Sequence, residues 1–316
     1  MTEMGIFAII LNWNAAEDTV RCVRRVASWE TVQPTIIVVD NASTDGSPQI
    51  IARECPDVCL LGNPVNLGFA GGNNRGIEEA LRRGDAPILL LNNDAQIEQQ
   101  DIIMLLESLL THQRIGLIGP LLFDAHRREK LLAAGSRDPS RHHHSHIRRL
   151  PSAKPVQIVE CVPGTAVLVR GKVFREVGPL DEDYFFASEV VDLCLRARQQ
   201  GYLTAVDTRA RAFHDLERSS DLRETLYSYY IIRNRFLLIR KFHRESRLMF
   251  RTFWALYSLS LSLKVQLTGQ RATARAIRLG LLDGLQGRFG GQNERVRAAV
   301  SGSGGRSGHL AGLLRR

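Results

Sequence analysis

Through its first 120 residues the chain alternates short apolar runs, rich in β-branched residues, with stretches whose apolar positions recur at helical spacing. Residues 6–11, 35–39, 58–61, 88–91 and 116–119 predict strands, and stretches near 19–29, 48–54, 72–83 and 101–112 predict helices. Strand and helix alternating in this way predict an α/β fold, a mainly parallel central sheet flanked by helices.

The pattern then changes. From residue 127 to 154 it dissolves into basic, His-rich, Pro-containing sequence, expected to be a mobile insertion or long loop near 125–155. His142, His143, His144 and His146 invite a metal reading, but the run lacks helical spacing and a solvated loop is favoured. Order returns with two apolar runs around Pro163 and Gly164 (residues 156–169), helices at 171–177 and 188–201, and short strands at 203–206 and 211–213. After Asp221 the chain is helical almost to Gly290, and from Ser301 it is Gly/Ser/Arg-rich. The expected organisation is a catalytic body over residues 1–240, a helical extension over 241–300 and a disordered tail over 301–316.

The longest apolar stretch, residues 248–263, contains Arg251 and is too short to span a bilayer comfortably. Residues 249–257 interleave Arg with Phe, Trp and Tyr, and residues 271–285 form a basic amphipathic stretch. Both suit helices lying in a membrane interface, and equally helices packed on the core.

A length of 316 residues, 44% hydrophobic and 24% charged, suits one large domain with an appendage. The net charge of +9 is concentrated in residues 127–149 and from Arg233 onward. No nucleic-acid module accompanies it, so a membrane surface ranks ahead of nucleic acid as the partner. Five cysteines are an odd number, and the chain enters an apolar strand without a basic leader, which implies a reducing, cytoplasmic setting. Cys55 and Cys59 have no second ligand pair and are expected to be isolated thiols.

In open α/β sheets ligands gather beyond the carboxyl ends of the strands, and polar residues stand at those ends here. Asn12 and Asn14 follow the first strand, Asp40, Asn41 and Ser43 the second, and Asn92, Asn93 and Asp94 the fourth. A carboxylate at Asp40 can accept from base N–H groups or ribose hydroxyls. A lone Asp94 ending a buried strand can bind a divalent cation that bridges a diphosphate, and hard oxygen ligands suit Mg²⁺ or Mn²⁺. The segment containing Gly68, Gly71, Gly72, Asn73 and Asn74 predicts a glycine-rich turn opening a helix, where backbone N–H groups favour phosphate oxygens. Its spacing fits neither the dinucleotide fingerprint nor the P-loop.

Taken in order, residues 40–47, 66–74, 92–94, Pro163-Gly164 and 189–196 resemble glycosyltransferase family 2, with its rhamnosyltransferase-like branch matching best. The likeness covers roughly residues 5–240, and the ordered set is specific where each motif alone is not. It implies the GT-A fold and inverting sugar transfer. Asp40 and Asn12 would face the nucleoside, with Asn14, Asn41 and Ser43 beside them. Gly68, Gly71, Gly72, Asn73 and Asn74, together with Asn92 and Asn93, would line the donor pocket. Asp94 matches the metal-binding Asp of the family's DxD motif, Asn92 stands where that motif begins, and His214 occupies the place of a His that completes the metal site. The branch implies dTDP-rhamnose as donor and a lipid-linked glycan or polysaccharide as acceptor, with Gly164 and Glu189 in the acceptor pocket.

The family's acidic pattern, Glu-Asp-x-Asp-Leu-x-x-Arg, runs here as Glu189-Val190-Val191-Asp192-Leu193-Cys194-Leu195-Arg196. Val190 stands where the resemblance puts the catalytic base, whose loss typically costs about 10² to 10⁴ in rate. Glu189 is the expected substitute, although neighbouring helix residues point about 100° apart. Asp192 joins it in the catalytic group and is spaced to pair with Arg196. Two further readings stay open: an impaired homologue that binds donor without chemistry, or an acceptor that needs little base assistance.

Overall fold

Alternate residues of the first strand feed two different cores. In β1 (Ile6–Asn12), Ile6, Ala8 and Ile10 pack with Val20 and Val23 of α1 (Ala16–Ala27) and Leu105 and Leu109 of α4 (Gln99–Thr111). Phe7 and Ile9 point the other way, onto Ile77 and Ala80 of α3 (Gly68–Arg83). A strand covered on both faces has to be apolar at every position, which is why these runs are continuous rather than alternating. The computed structural model describes residues 5–149, 154–215 and 221–301. They fall into two units.

The first unit comprises Met1–Arg137, His146–Asp181 and Val190–Leu216, and holds a 10-stranded sheet. Its parallel part joins β3 (Cys59–Gly62), β2 (Pro34–Asp40), β1 and β4 (Ile88–Asn92). Next comes β9 (Ala166–Val169), antiparallel to both β4 and β6 (Ile115–Asp124). Then β10 (Leu203–His214) runs parallel to β6 and pairs antiparallel with β5 (Ala95–Ile97) and β8 (Val156–Val159). Helices α2 (Ser47–Glu54), α5 (Gly171–Val177) and α6 (Glu189–Gln199) follow in sequence. Every strand and helix expected in the first 120 residues is present. Helix α4 begins at a capping box made by Glu98 and Asp101.

Two elements of the first unit depart from expectation. The two short strands expected at 203–206 and 211–213 are one strand, β10, whose pairing with β6 slips between Asp207 and Arg211. Polar residues in this bulge read as a break in the sequence. The glycine-rich segment is not a turn: α3 already starts at Gly68, and its glycines serve packing. A Cβ at Gly76 would stand 2.6 Å from Ile9 Cγ2, and one at Gly72 2.4 Å from Leu11 Cδ1. The helix lies close on β1 because those side chains are missing.

The expected mobile insertion is ordered where described, and residues 150–153 lie outside the described residues. Within the first unit, β7 (Leu131–Ala133) pairs with β6, and Ser136 bridges to His146 and Cys161. The stretch Asp138–Ser145 belongs to the second unit, with Glu182–Glu189 and Glu217–Arg316. There Trp254 Nε1 donates to the Ser140 carbonyl at 2.6 Å, and Arg235 Nε to the Pro139 carbonyl at 2.8 Å. His243 Nε2 lies 2.7 Å from Ser140 Oγ and 3.1 Å from Asp138 Oδ2. Because one ring nitrogen serves both partners, this Ser–His–Asp group is a tether and not a proton relay.

The second unit is built from α7 (Asp221–Phe242), α8 (Arg247–Leu267), α9 (Arg271–Gln286) and α10 (Asn293–Val300). Ile232, Phe236 and Ile239 of α7 form its core with Trp254 and Val265 of α8 and Ala274 and Ile277 of α9. The expected boundary at residue 240 falls inside α7. The tail beyond Ser301 lies outside the described residues. Among the described residues no helix is long and apolar enough to cross a membrane.

Candidate functional site

Sheet register sets out the site. Asn12 pairs with Asp40, Leu11 with Asn92 and His214 with Ala95, so the polar strand ends of β1, β2, β4 and β10 share one edge of the sheet.

Asp40 is buried and fixed from two sides. Asn12 Nδ2 donates to its Oδ1 at 2.7 Å, and the Ser43 backbone N–H donates to its Oδ2 at 3.0 Å. A carboxylate accepts about four hydrogen bonds, so it has capacity left for ligand donors. Asn12 has little. Its Nδ2 also donates to Ser43 Oγ, and its Oδ1 accepts from Thr19 Oγ1 at 2.7 Å. Asn14 closes the loop, with its N–H on Ser43 Oγ and its Oδ1 accepting from the Thr44 N–H. Asn14 and Ala42 both adopt left-handed backbone, at φ 50° and 60°. For Ala42, without a side chain to support it, this is a strained conformation of the kind found where a loop is over-determined.

Asn41 organises the start of α3. Its Nδ2 donates to Asn66 Oδ1 and the Gly68 carbonyl, and its Oδ1 accepts from Asn63 Nδ2 and the Leu67 N–H, each at 3.0 Å. Gly68 N–H donates to Asn66 Oδ1 at 2.8 Å, so side chains already occupy the first donors of the helix. Gly71, Gly72 and Asn73 are buried within α3, and Asn73 donates to the Phe69 carbonyl. Asn74 exchanges two hydrogen bonds with the Leu180 backbone.

At the end of β4, Asn93 Nδ2 donates to Thr19 Oγ1 at 3.0 Å, which makes a continuous chain Asn93–Thr19–Asn12–Asp40. Asn92 Oδ1 is buried and accepts no hydrogen bond. Asp94 Oδ1 and His214 Nε2 approach to 3.2 Å, with both side chains largely buried. The contact is a close approach of a carboxylate oxygen and an imidazole nitrogen rather than an aligned hydrogen bond. Oxygen and nitrogen ligands of a cation bound at 2.0–2.1 Å stand about 3 Å apart when they are adjacent, so the pair fits one Mg²⁺ or Mn²⁺. Among the described residues no group of three or more His, Cys, Asp or Glu could hold a metal. Burial, then the Asp94 charge, pushes the nearby Cys22 thiol up to about 12. Cys22 is a neutral packing residue.

The Thr165 carbonyl accepts from the Asn92 N–H, so Gly164 borders the end of β4. Val190 is buried in the same apolar cluster as Ile9 and Leu193. Asp192 is fully buried and pairs with Arg196, which also donates to the carbonyls of Val177 and Pro179. That pairing makes Asp192 a clamp on the 177–180 turn. Glu189, buried at the start of α6, belongs to the second unit. Thr19 and Asn63 are the members of this hydrogen-bond network that sequence reasoning passed over. Thr19 sits on the inward face of α1, and nothing local separates it from an ordinary helix threonine.

A dTDP-rhamnosyl transferase of Shigella flexneri, RfbF, is 23% identical over 298 residues, 91% of this chain and 97% of its own. An N-acetylglucosaminyl-diphospho-decaprenol L-rhamnosyltransferase of Mycobacterium tuberculosis is 31% identical over 205 residues, 57% of this chain. The chain spans 66% of the length of that relative. A mannosyltransferase of Pyrobaculum calidifontis, solved with GDP-Man and Mn²⁺, superposes with a TM-score of 0.56 at 13% identity, covering 94% of this chain and 85% of its own. It shares the fold, which is the expected GT-A architecture. The family model for glycosyl transferase family 2 matches residues 7–178, more than half of the 316 residues, and the protein therefore belongs to that family.

Proposed function

We propose that the protein transfers a sugar, with inversion, from a nucleotide-diphosphate donor to a hydroxyl of a lipid-linked or polysaccharide acceptor in cell-envelope glycan synthesis. The observation that carries the reading is the Asp94–His214 pair, joined to Asp40 through Asn93, Thr19 and Asn12 along one sheet edge. Rhamnose from dTDP-rhamnose is the proposed donor, supported by the two rhamnosyltransferase relatives.

Asp94 and His214 would hold Mg²⁺ or Mn²⁺, which when bound would supply positive charge for the departing nucleoside diphosphate. Asp40 accepts from the nucleoside, held by Asn12 and Ser43. Glu189 takes the proton of the acceptor hydroxyl as that oxygen bonds to the anomeric carbon, and the carbon–oxygen bond to the diphosphate breaks on the opposite face. Asn41, Asn73 and Asn74 shape α3 rather than touch the donor.

Thermal-shift titration of nucleotide sugars with Mg²⁺ or Mn²⁺ tests the donor side. dTDP-rhamnose is expected to stabilise the protein in the presence of cation. If none stabilises it and Asp94→Ala behaves as the parent, the donor-site assignment falls. A second reading, a donor-binding homologue without chemistry, is favoured by Val190 in an apolar cluster. It predicts binding with no turnover on any acceptor.

The proposed setting is the cytoplasmic face of a membrane, in keeping with five free cysteines and supported mainly by α8. Its buried face carries Trp254, Ser258, Leu261, Ser262 and Val265. Its exposed face carries Met249, Phe253, Leu256, Leu259, Leu263 and Leu267, an arc of about 120° on the helical wheel. Six large apolar side chains therefore face outward, and exposed Arg244, Arg247, Lys264 and Arg271 flank them. Apolar side chains between cations suit anionic lipid. Flotation with phosphatidylglycerol-containing vesicles is expected to carry the protein, and a Leu256→Glu, Leu263→Glu variant to stay behind. Equal flotation of both, or a dimer in solution that the variant abolishes, sinks the lipid assignment.

A further inference from the structure

The approach to α6 has an unusual backbone. Phe185, Ala187 and Ser188 have φ of 59°, 70° and 77°, all left-handed and none of them glycine. Glu189 follows at once as the first residue of the helix. Side chains with a Cβ avoid this region, and a run of them persists only where surrounding structure leaves no alternative.

That surrounding structure is two adjacent residues of α7. Asn234 Nδ2 donates to the carbonyls of Tyr184, Phe186 and Ala187 at 3.0, 2.8 and 2.6 Å, and its Oδ1 accepts from Arg233 Nε at 2.9 Å. Arg233 Nη2 donates to the carbonyls of Asp183 and Tyr184, each at 2.9 Å, and Nη1 to that of Gly290. Gly290 N–H in turn donates to the Asp183 carbonyl at 2.8 Å. Both side chains are fully buried, and the guanidinium lies over the rings of Tyr230 and Tyr229. Gly291 leaves room for Phe185, since a Cβ there would stand 2.9 Å from Phe185 Cε2.

Burying a guanidinium opposes folding, and desolvation pulls its pKa below the ordinary arginine value. Helix packing alone is met more cheaply by apolar side chains. What the pair achieves is directional: the carbonyls of residues 183, 184, 186 and 187 are gathered onto one point of α7. The backbone therefore enters α6 along a single path, and the first side chain of the helix leaves it in a single direction.

We propose that Arg233 and Asn234 are positioning residues for Glu189, acting through the strained segment 185–188 to aim its carboxylate at the acceptor hydroxyl. The proposal rests on the reading of Glu189 as the base. A catalytic group displaced by about 1 Å loses roughly 10²-fold in rate, and a mis-aimed base affects turnover without affecting donor affinity.

The test is a set of variants of the full chain, assayed for turnover on dTDP-rhamnose with a polyprenyl-diphosphate-linked N-acetylglucosamine acceptor and for donor binding by calorimetry. Asn234→Ala is expected to lower kcat about 10- to 100-fold, with the donor Kd unchanged. In a Glu189→Gln background the same change should have almost no further effect, because no base remains to be misdirected. Ala187→Gly removes no hydrogen bond and relieves the left-handed strain, so it should keep or raise Tm while lowering kcat. Arg233→Lys replaces the planar fork with a point donor, and serves should Asn234→Ala fail to fold. If Glu189→Gln loses activity while Asn234→Ala, or Arg233→Lys in its place, and Ala187→Gly keep parental kcat, the positioning role is overturned. Parental activity in Glu189→Gln instead removes the base reading, and the proposal with it. Additive losses in the double variant reduce Arg233 and Asn234 to structural residues.

Discussion

His214 Nε2 stands 3.2 Å from Asp94 Oδ1, joining the end of β10 to the end of β4 across a sequence separation that no local pattern spans. If the two share a cation, neither is dispensable. A charged contact is worth roughly 1.5–3 kcal/mol, so His214→Ala should raise the Mn²⁺ concentration for half-maximal thermal stabilisation about tenfold or more. His214→Gln should do the same. Unchanged Mn²⁺ titrations for both variants would leave His214 a structural residue.

Asn12 touches Asp40, Ser43 and Thr19 and is fully buried, so its effect on the donor passes through Asp40. Asn12→Ala frees one oxygen of a fixed carboxylate, and at about 1.5 kcal/mol for a hydrogen bond to a charged group the donor should bind roughly tenfold more weakly. Turnover at saturating donor should change much less. Steady-state kinetics separates the two, and an equal fall in both parameters would give Asn12 a part in the chemistry.

Glu189 and Val190 make opposite predictions. Glu189→Gln is expected to reduce kcat by about 10² to 10⁴ with donor binding retained. Val190→Asp puts a carboxylate into an apolar cluster and should cost about 1–3 kcal/mol of stability, visible as a lower Tm. A folded Val190→Asp protein with higher turnover, together with a silent Glu189→Gln, would favour the impaired-homologue reading.

Helix α9 crosses α7 closely: a Cβ at Gly280 would stand 2.5 Å from the Tyr229 carbonyl oxygen. Backbone cannot swing aside as a side-chain tip can, so Gly280→Ala should destabilise by about 1–3 kcal/mol. Gly84→Ala, where nothing lies within 4 Å, serves as the control in a denaturant titration.

Asp207 gives the first unit an acid-sensitive point. Burial pushes its carboxyl up, but hydrogen bonds from Arg209 and Ser108 outweigh this and hold the pKa below the ordinary value. A group depressed on folding stabilises fully above its unfolded pKa of about 3.9, and the stabilisation disappears as pH falls through the folded value. Asp207→Asn should therefore be less stable at neutral pH and show a flatter decline of Tm below about pH 4. Parallel Tm profiles for the two proteins would contradict this.

The sheet and its polar carboxyl edge were legible in the chain itself. Short β-branched apolar runs such as 6–11, 35–39 and 88–91, alternating with helical stretches, read as strands, and the polar residues that end them mark the carboxyl edge. Asp40 and Asp94 could therefore be named without coordinates. The order in residues 131–145 could not be foreseen, since it depends on partners as distant as His243 and Trp254. The glycines of α3 looked like a phosphate loop because glycine has no side chain to say which neighbour needed the room, and only the contact with Ile9 and Leu11 decides it. Helix α8 is apolar on every side, so its periodicity could not say which stripe faces out. Packing against α7 and α9 selects the Trp254 face for burial and leaves the leucines outside. The segment before Glu189 is the clearest case: nothing in Phe185, Ala187 or Ser188 suggests left-handed backbone, which is imposed by Arg233 and Asn234 through hydrogen bonds that exist only once the chain has folded.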